Sequence, residues 1–166
     1  MRSPDRTVPF TGHRFWSRTA FAFGPIAARM FVRPIDPGRK VRPTDDADFL
    51  SLDVARELRA GPRSFELCAQ AFVDERRTPI EDSSRDWRES DAPPIVLGRV
   101  VVPQQDIEGD AGRALTARVE AAETFNPWTT PCLRPLGSMN RARLEAYNRS
   151  AARRGAPTIQ PTITSG

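Results

Sequence analysis

Three residues near the end of the sequence have types and spacing that could hold a prosthetic group. Tyr147 is the only tyrosine, with Arg143 four residues before it and Arg154 seven residues after it. On an α-helix these intervals place the three side chains near one face. The segment therefore predicts a helical face on which a phenol lies between two guanidinium groups.

This trio of residues suits an iron porphyrin. A guanidinium close to a phenol favours the ionised phenolate, and a phenolate can be an axial ligand of haem iron. Arginine also suits the bidentate capture of a carboxylate such as a haem propionate. Tyr147 could thus ligate iron while Arg154 holds a propionate. The plainer interpretation is a partly buried tyrosine on an amphipathic helix beside solvated arginines.

Other candidate groups offer less chemistry. His13 is the only histidine, so it cannot build a triad or a metal cage by itself. The pair Asp45-Asp46 stands where the start of a helix favours acidic residues, which indicates a structural role. The pair Glu81-Asp82 opens a turn. A direct role of this pair in chemistry is a minor alternative to a structural one. The sequence contains no glycine-rich phosphate loop and no nucleophile elbow.

Composition indicates a soluble globular chain the size of one domain. Its 166 residues are 39% hydrophobic and 28% charged, with a net charge of +4. Acidic residues are interspersed with the basic ones, which argues against a specific nucleic-acid interface. Cys68 and Cys132 are too far apart for a metal-ligand pair and favour a reducing compartment. With no apolar run long enough for a membrane span and no signal peptide, we expect a cytoplasmic protein that does not enter the membrane.

The helices and strands expected from the sequence alternate along the chain. Strands are predicted at 26–35, 63–74 and 93–103 from apolar runs or alternation. Helices are predicted from Thr44 to Gly61, from Gly109 to Glu123 and from Ser138 to Gly155. The order suggests an α+β domain. We expect the first 13 residues and residues 156–166 to be flexible segments.

The segment "FNPW…RPLGSMNRARLEAYNRSAARR" resembles the proximal region of the catalase superfamily, especially the short bacterial catalase-like proteins. That family has an Arg-x-x-x-Tyr pair on its proximal helix and an arginine seven residues further on, as at Arg143, Tyr147 and Arg154. Met139 matches a position that lines the haem edge. The segments "FWSRTAFAFG", "TPIEDSSRDW" and "PPIVLGRVVVPQQD" occur in the order and spacing of the family's second half, so the resemblance covers residues 14–155.

The resemblance implies a fold, a cofactor and a substrate. The fold is the second half of a catalase-like antiparallel β-barrel, with flanking helices and a C-terminal proximal haem helix. The cofactor is haem b, bound through Tyr147 as proximal iron ligand with Arg143, Arg154 and Met139 around it. The substrate is hydrogen peroxide or an organic peroxide. A half-barrel would also leave an unpaired strand edge, which makes a homo-oligomer an expectation.

The chain departs from typical catalases on the distal side. The family's distal histidine and asparagine belong to a first half that has no match here, and His13 lacks their sequence context. The simplest account is a truncated, C-terminal piece of a catalase-like oxidoreductase. Two alternatives stay open. One is a haem-binding module without turnover, or a related peroxidase or hydroperoxide isomerase. The other is a small basic interaction protein.

Overall fold

A computed structural model of the chain describes residues 7–42, 44–121, 127–129, 133–153, 155 and 158. These residues form three α-helices and five β-strands, which confirms the predicted α+β class. Short 3-10 helices lie at Phe10–Gly12 and Pro127–Thr129. The helices are α1 (Phe49–Ala60), α2 (Asp110–Ala121) and α3 (Ser138–Arg153), and the strands are β1 (Phe15–Phe23), β2 (Ile26–Pro34), β3 (Arg63–Ala71), β4 (Ile95–Val102) and β5 (Leu133–Pro135).

The five strands of the described chain form one antiparallel sheet in the order β4-β3-β2-β1-β5. A tight turn joins β1 to β2 at Gly24, whose φ of 58° suits glycine. Strand β5 returns to pair with β1, with Phe21 opposite Pro135 and Phe23 opposite Leu133. Residues 133–135 thereby bring the start of α3 next to the first strand of the sheet.

Strands β2, β3 and β4 lie where the sequence predicts them, whereas β1 and β5 are absent from the prediction. The side-chain alternation of β1 breaks at Arg18, whose φ of 63° lies in the left-handed region. Thr19 and Ala20 are consequently both buried although they are neighbours in a strand. Strand β5 is only three residues long, too short for a periodic pattern.

Helix α1 begins later than the sequence predicts. The acidic residues before it form a turn, in which the Asp46 carboxylate accepts the backbone N–H of Asp48 at 2.9 Å. Asp48 is the N-cap, and the helix runs from Phe49. Short polar side chains compete with the first helical turn by bonding nearby backbone groups, which explains the delayed start.

The tertiary contacts fall into two compact units. Unit 1 comprises the chain up to Trp16, Phe31–Cys68 and Val96–Val119, and unit 2 comprises Ser17–Met30, Ala69–Ile95 and the chain from Glu120 onward. In unit 1 the apolar core contains Phe31, Ala55, Leu58, Phe65 and Cys68.

The 3-10 turn near the start of the chain packs within unit 1. Thr11 is buried, and the backbone N–H of Phe10 donates to the Asp53 carboxylate at 2.8 Å. Asp53 is 1% exposed, so this bond ties helix α1 to the segment before β1. In the part of the chain that the structure describes, no helix has the length and apolar character needed to cross a membrane.

The core of unit 2 surrounds Trp87, which is 5% exposed. The Trp87 indole donates to the Pro79 carbonyl at 3.2 Å. Gln70 is fully buried and donates to the Ala92 carbonyl at 2.7 Å. These bonds fix the loop between β3 and β4 by satisfying buried backbone groups. Ala20, Ala28, Ala69, Ala92 and Ala151 complete the apolar core of this unit.

Candidate functional site

Helix α3 carries the candidate residues, and its start is fixed from outside the helix. Gly137 has a φ of 84°, and a side chain there would come within 2.8 Å of the Ile80 carbonyl oxygen. The next residue, Ser138, donates its backbone N–H to the Glu81 carboxylate at 2.7 Å. Because the first N–H groups of a helix have no partner within it, this carboxylate acts as a cap supplied from the loop after β3.

The contacts that make Glu81 a cap also lower its pKa. The Ser138 backbone N–H, followed by the Ser138 side chain and the Arg141 guanidinium, holds the pKa of Glu81 below its ordinary value of 4.5. Arg141 lies 3.3 Å from the same carboxylate oxygen. The sequence singled out Glu81 only as half of an acidic pair. In the structure it positions the helix that carries the tyrosine.

Asn140 fixes how helix α3 is turned against strand β1. It is fully buried, and its amide oxygen accepts the Thr19 hydroxyl at 3.1 Å. Its amide nitrogen donates to the Ala20 carbonyl at 3.3 Å and the Leu136 carbonyl at 2.8 Å. The Trp128 indole donates to the Asn140 carbonyl at 3.2 Å. Sequence reasoning missed this residue, although Asn140 stands seven positions before Tyr147, on the same helical face.

The buried face of α3 is the face that carries Tyr147. Asn140 and Ala151 are buried, while Leu144 and Tyr147 between them are half-buried. These positions follow the three- and four-residue spacing of one helical stripe. Packing therefore turns the tyrosine toward the protein rather than toward open solvent.

Arg143 and Tyr147 make the contact that their spacing predicts. The Arg143 guanidinium donates to the phenol oxygen at 3.1 Å. Its central carbon also lies 5.7 Å from the centroid of the tyrosine ring, within the range of a cation–π interaction. Both side chains are half-buried, where a neighbouring charge is screened less than at an open surface.

This donor set fits an axial ligand of haem iron. A tyrosine phenolate is a known axial ligand of haem iron. The guanidinium approaches one side of the oxygen, and a phenolate oxygen has further lone pairs for a metal. Tyr147 is thus the group on α3 that would hold the iron of a haem, with Arg143 hydrogen-bonded to its oxygen.

The other two predicted residues stand apart from this contact. Met139 is 40% exposed in the first turn of α3. Eight residues of helix separate it from Tyr147 by about 12 Å along the axis. Its assignment to a haem edge therefore stays a prediction. Arg154 lies outside the described residues, and the propionate role predicted for it is likewise a prediction.

Neither cysteine chemistry nor a metal cluster offers a competing site in the described part of the chain. Cys68 is fully buried in the core of unit 1, and Cys132 lies outside the described residues. Within the described ranges, no group of three His, Cys, Asp or Glu side chains could hold a metal ion. Asp82 accepts the Ser84 hydroxyl at 2.6 Å, an ordinary turn contact.

A cavity of about 350 Å³ lies in unit 1 and contains none of the candidate residues. Its lining includes Asp36, Arg39, Glu57 and Arg63. Arg63 lies 3.1 Å from the Glu57 carboxylate, and their side chains are only 14% and 15% exposed. This ion pair closes one wall of the cavity and ties α1 to β3.

Neither the family models nor the curated proteins match this chain.

Proposed function

We propose that this chain is a catalase-like haem-binding protein of the cytoplasm that acts on peroxides, with Tyr147 as the proximal ligand of the haem iron. The observation that carries the proposal is the hydrogen bond from Arg143 to the Tyr147 phenol oxygen on the half-buried face of α3. The resemblance of residues 14–155 to the catalase superfamily supports the same assignment. It supplies the class of cofactor and the class of substrate.

Each residue of α3 has a separate task in this proposal. Tyr147 supplies an electron-rich oxygen to the metal, and Arg143 stabilises the negative charge on that oxygen. Arg154 binds a propionate and Met139 lines the haem edge, both by the resemblance alone. Asn140 and Glu81 position the helix without touching the cofactor. Haem, when bound, supplies the redox chemistry with peroxide.

The proposal is tested by titrating the purified chain with haemin and recording absorption spectra. We expect one haem per chain with the spectrum of a phenolate-ligated ferric haem. Tyr147→Phe removes one oxygen atom and nothing else, so the fold should persist while that spectrum is lost. Tyr147→His should again bind haem, now with the spectrum of an imidazole-ligated iron, because the position still presents a metal ligand.

Arg149→Leu is the matched control because it removes an arginine from the same helix. Arg149 lies 2.9 Å from Glu145 and is 75% exposed, so its loss should leave haem binding unchanged. An unchanged spectrum in Tyr147→Phe would refute the axial role of Tyr147. Oxygen release from hydrogen peroxide by the haem-loaded chain then separates a catalase from a haem binder without turnover.

A further inference from the structure

Strand β4 ends the sheet and carries a row of exposed apolar side chains. In the strand order β4-β3-β2-β1-β5 its one hydrogen-bonded neighbour among the described strands is β3. Residues 95–101 are all exposed. Because successive side chains of a strand point to opposite faces, both faces of the strand carry uncovered apolar side chains. The exposed fractions are 57% for Ile95, 49% for Val96, 41% for Leu97, 41% for Val100 and 55% for Val101.

This edge lacks most of the devices that normally protect a strand from pairing with another chain. Edge strands are usually short, bulged or interrupted by proline, or they carry several charges. Strand β4 is eight residues long, and Arg99 is its one charged residue. Its β-branched residues are those that favour strand pairing. The edge is therefore built to receive another strand.

The sequence of β4 is nearly symmetric about Gly98. At two and three positions on either side of Gly98 stand β-branched apolar residues, namely Ile95, Val96, Val100 and Val101. In an antiparallel copy of the strand, β-branched apolar residues would therefore again lie opposite β-branched apolar residues. A side chain at Gly98 would meet no atom within 4 Å, and its φ is not in the left-handed region. The fold of the single chain thus does not require glycine at this position.

We infer that the protein forms a homodimer in which β4 pairs antiparallel with β4 of a second copy, about a twofold axis at Gly98. A pairing of this kind is isologous, so the same patch serves both copies and the contact closes on itself. It joins the two sheets through hydrogen bonds between their edges. It also gives the exposed apolar side chains of each copy cross-strand neighbours from the other copy.

The twofold symmetry restricts the possible registers of the two strands. The register centred on Gly98 gives the apolar side chains the best cross-strand contacts. With the axis at Gly98, Val96 lies opposite Val100 of the second copy, and Ile95 lies opposite Val101. Arg99 lies opposite Leu97, over which its aliphatic stem can extend while its charge reaches solvent. Each apolar residue thus gains an apolar contact.

The neighbouring registers are poorer. In an antiparallel pair, residues directly opposite each other point to the same face of the sheet. A twofold axis perpendicular to the sheet therefore lies midway between one residue and the same residue of the second copy. An axis at Arg99 would place two guanidinium groups directly opposite each other, which is destabilising. An axis at Leu97 would place Val100 and Val101 opposite Pro94 and Pro93, before the start of the strand.

The inference is tested by sedimentation velocity on the full chain, without haem, over a wide range of concentrations. Val96→Glu and Val100→Lys each place a charge opposite a valine at two symmetric sites. We expect each to raise the dimer dissociation constant about tenfold or more. The double variant Val96→Glu/Val100→Lys places a carboxylate opposite an ammonium at both sites, so we expect it to recover most of the lost affinity.

The recovery is specific to pairing between copies. The two positions are four residues apart on one extended strand, about 13 Å, too far to form an ion pair within one chain. Leu50→Glu is the matched control because Leu50 is an equally exposed apolar residue, at 56%, on helix α1. It should leave the dissociation constant unchanged, and far-ultraviolet circular dichroism should show native secondary structure in every variant.

Several outcomes would overturn the inference. A monomer at all concentrations would show that β4 is not a dimer interface. A dimer that both single variants leave unchanged would place the interface elsewhere. A double variant weaker than either single variant would exclude the register centred on Gly98. Open assemblies larger than a dimer would exclude a closed pairing of two edges.

Discussion

Arg143 approaches Tyr147 from one helical turn earlier, so that one guanidinium contacts both the phenol oxygen and the face of the ring. The hydrogen bond directs the guanidinium at the oxygen, and the ring contact holds the arginine in place. Both effects follow from a four-residue spacing on a helix, which is why the sequence alone predicts the pair. The distance of 3.1 Å shows that the predicted pair forms.

The first prediction concerns the charge on Arg143. Arg143→Leu keeps the packing volume but removes the donor, so haem affinity at neutral pH should fall about tenfold, the scale of a hydrogen bond to a charged group. Arg143→Lys keeps the positive charge without the planar donor geometry and should lose less. Haemin titrations of both variants measure the effect. Equal losses in the two variants would show that charge plays no part.

At the scale of the helix, α3 depends on bonds that reach it from β1 and from the loop after β3. Asn140 connects it to Thr19 and Ala20, and Glu81 caps its first residue. Glu81, Thr19 and Ala20 are far from Tyr147 in the sequence, and Asn140 lies about two helical turns before it. They nevertheless decide which way the tyrosine faces, because they fix the start and the rotation of the helix.

The second prediction concerns Asn140. Asn140→Leu removes the three side-chain hydrogen bonds that Asn140 makes, with the Thr19 hydroxyl and with the Ala20 and Leu136 carbonyls, so the free energy of unfolding should fall by about 2–4 kcal/mol. Urea unfolding followed by circular dichroism measures the change. Ser150→Ala, at an exposed position of the same helix, should cost less than about 0.5 kcal/mol. A loss below 1 kcal/mol for Asn140→Leu would contradict the bonding described for it.

The third prediction concerns the pH dependence that Glu81 gives the fold. Its pKa is lowered in the folded chain, chiefly by the Ser138 backbone N–H. As pH falls, the unfolded chain therefore takes up the proton first. The stabilisation by Glu81 is complete above the ordinary pKa of 4.5 and is lost as pH falls through the lower, folded value.

Glu81→Gln removes this titration while keeping an oxygen that can accept the Ser138 N–H. The difference in unfolding free energy between wild type and Glu81→Gln should be largest near neutral pH and should shrink in acid. Urea unfolding at a series of pH values measures it. Arg141→Gln should reduce the pH dependence less, because Arg141 is a smaller cause of the lowered pKa. Parallel stability curves for wild type and Glu81→Gln would rule out this role.

Sequence reasoning succeeds for elements with a regular pattern and fails where tertiary contacts replace the pattern. Alternation and apolar runs suffice for β2, β3 and β4, and caps suffice for α3. Strand β1 escapes prediction because Arg18 interrupts its alternation, and β5 because three residues carry no period. In the candidate site, the Arg143–Tyr147 pair is local and predictable. The roles of Asn140 and Glu81 depend on partners 121 and 57 residues away, which no spacing rule connects.

At the scale of the whole molecule, composition makes the central claim unusually accessible to experiment. Tyr147 is the only tyrosine among 166 residues. Tyrosine labelled with deuterium in its ring therefore labels this one side chain in the entire protein. Any vibration that shifts on labelling belongs to Tyr147, wherever the haem lies.

Resonance Raman spectroscopy of the haem-loaded chain with and without this label is the most direct test of the proposed ligation. Excitation into an iron–phenolate transition enhances vibrations of the ligating phenolate, and porphyrin bands enhanced with them do not shift with the label. We expect phenolate bands that shift with ring deuteration and that disappear in Tyr147→Phe. Arg149→Leu, grown with the same label, should keep them unchanged. A haem complex whose spectrum shows no band sensitive to the label would mean that Tyr147 is not bound to iron, and the proposed function would be wrong.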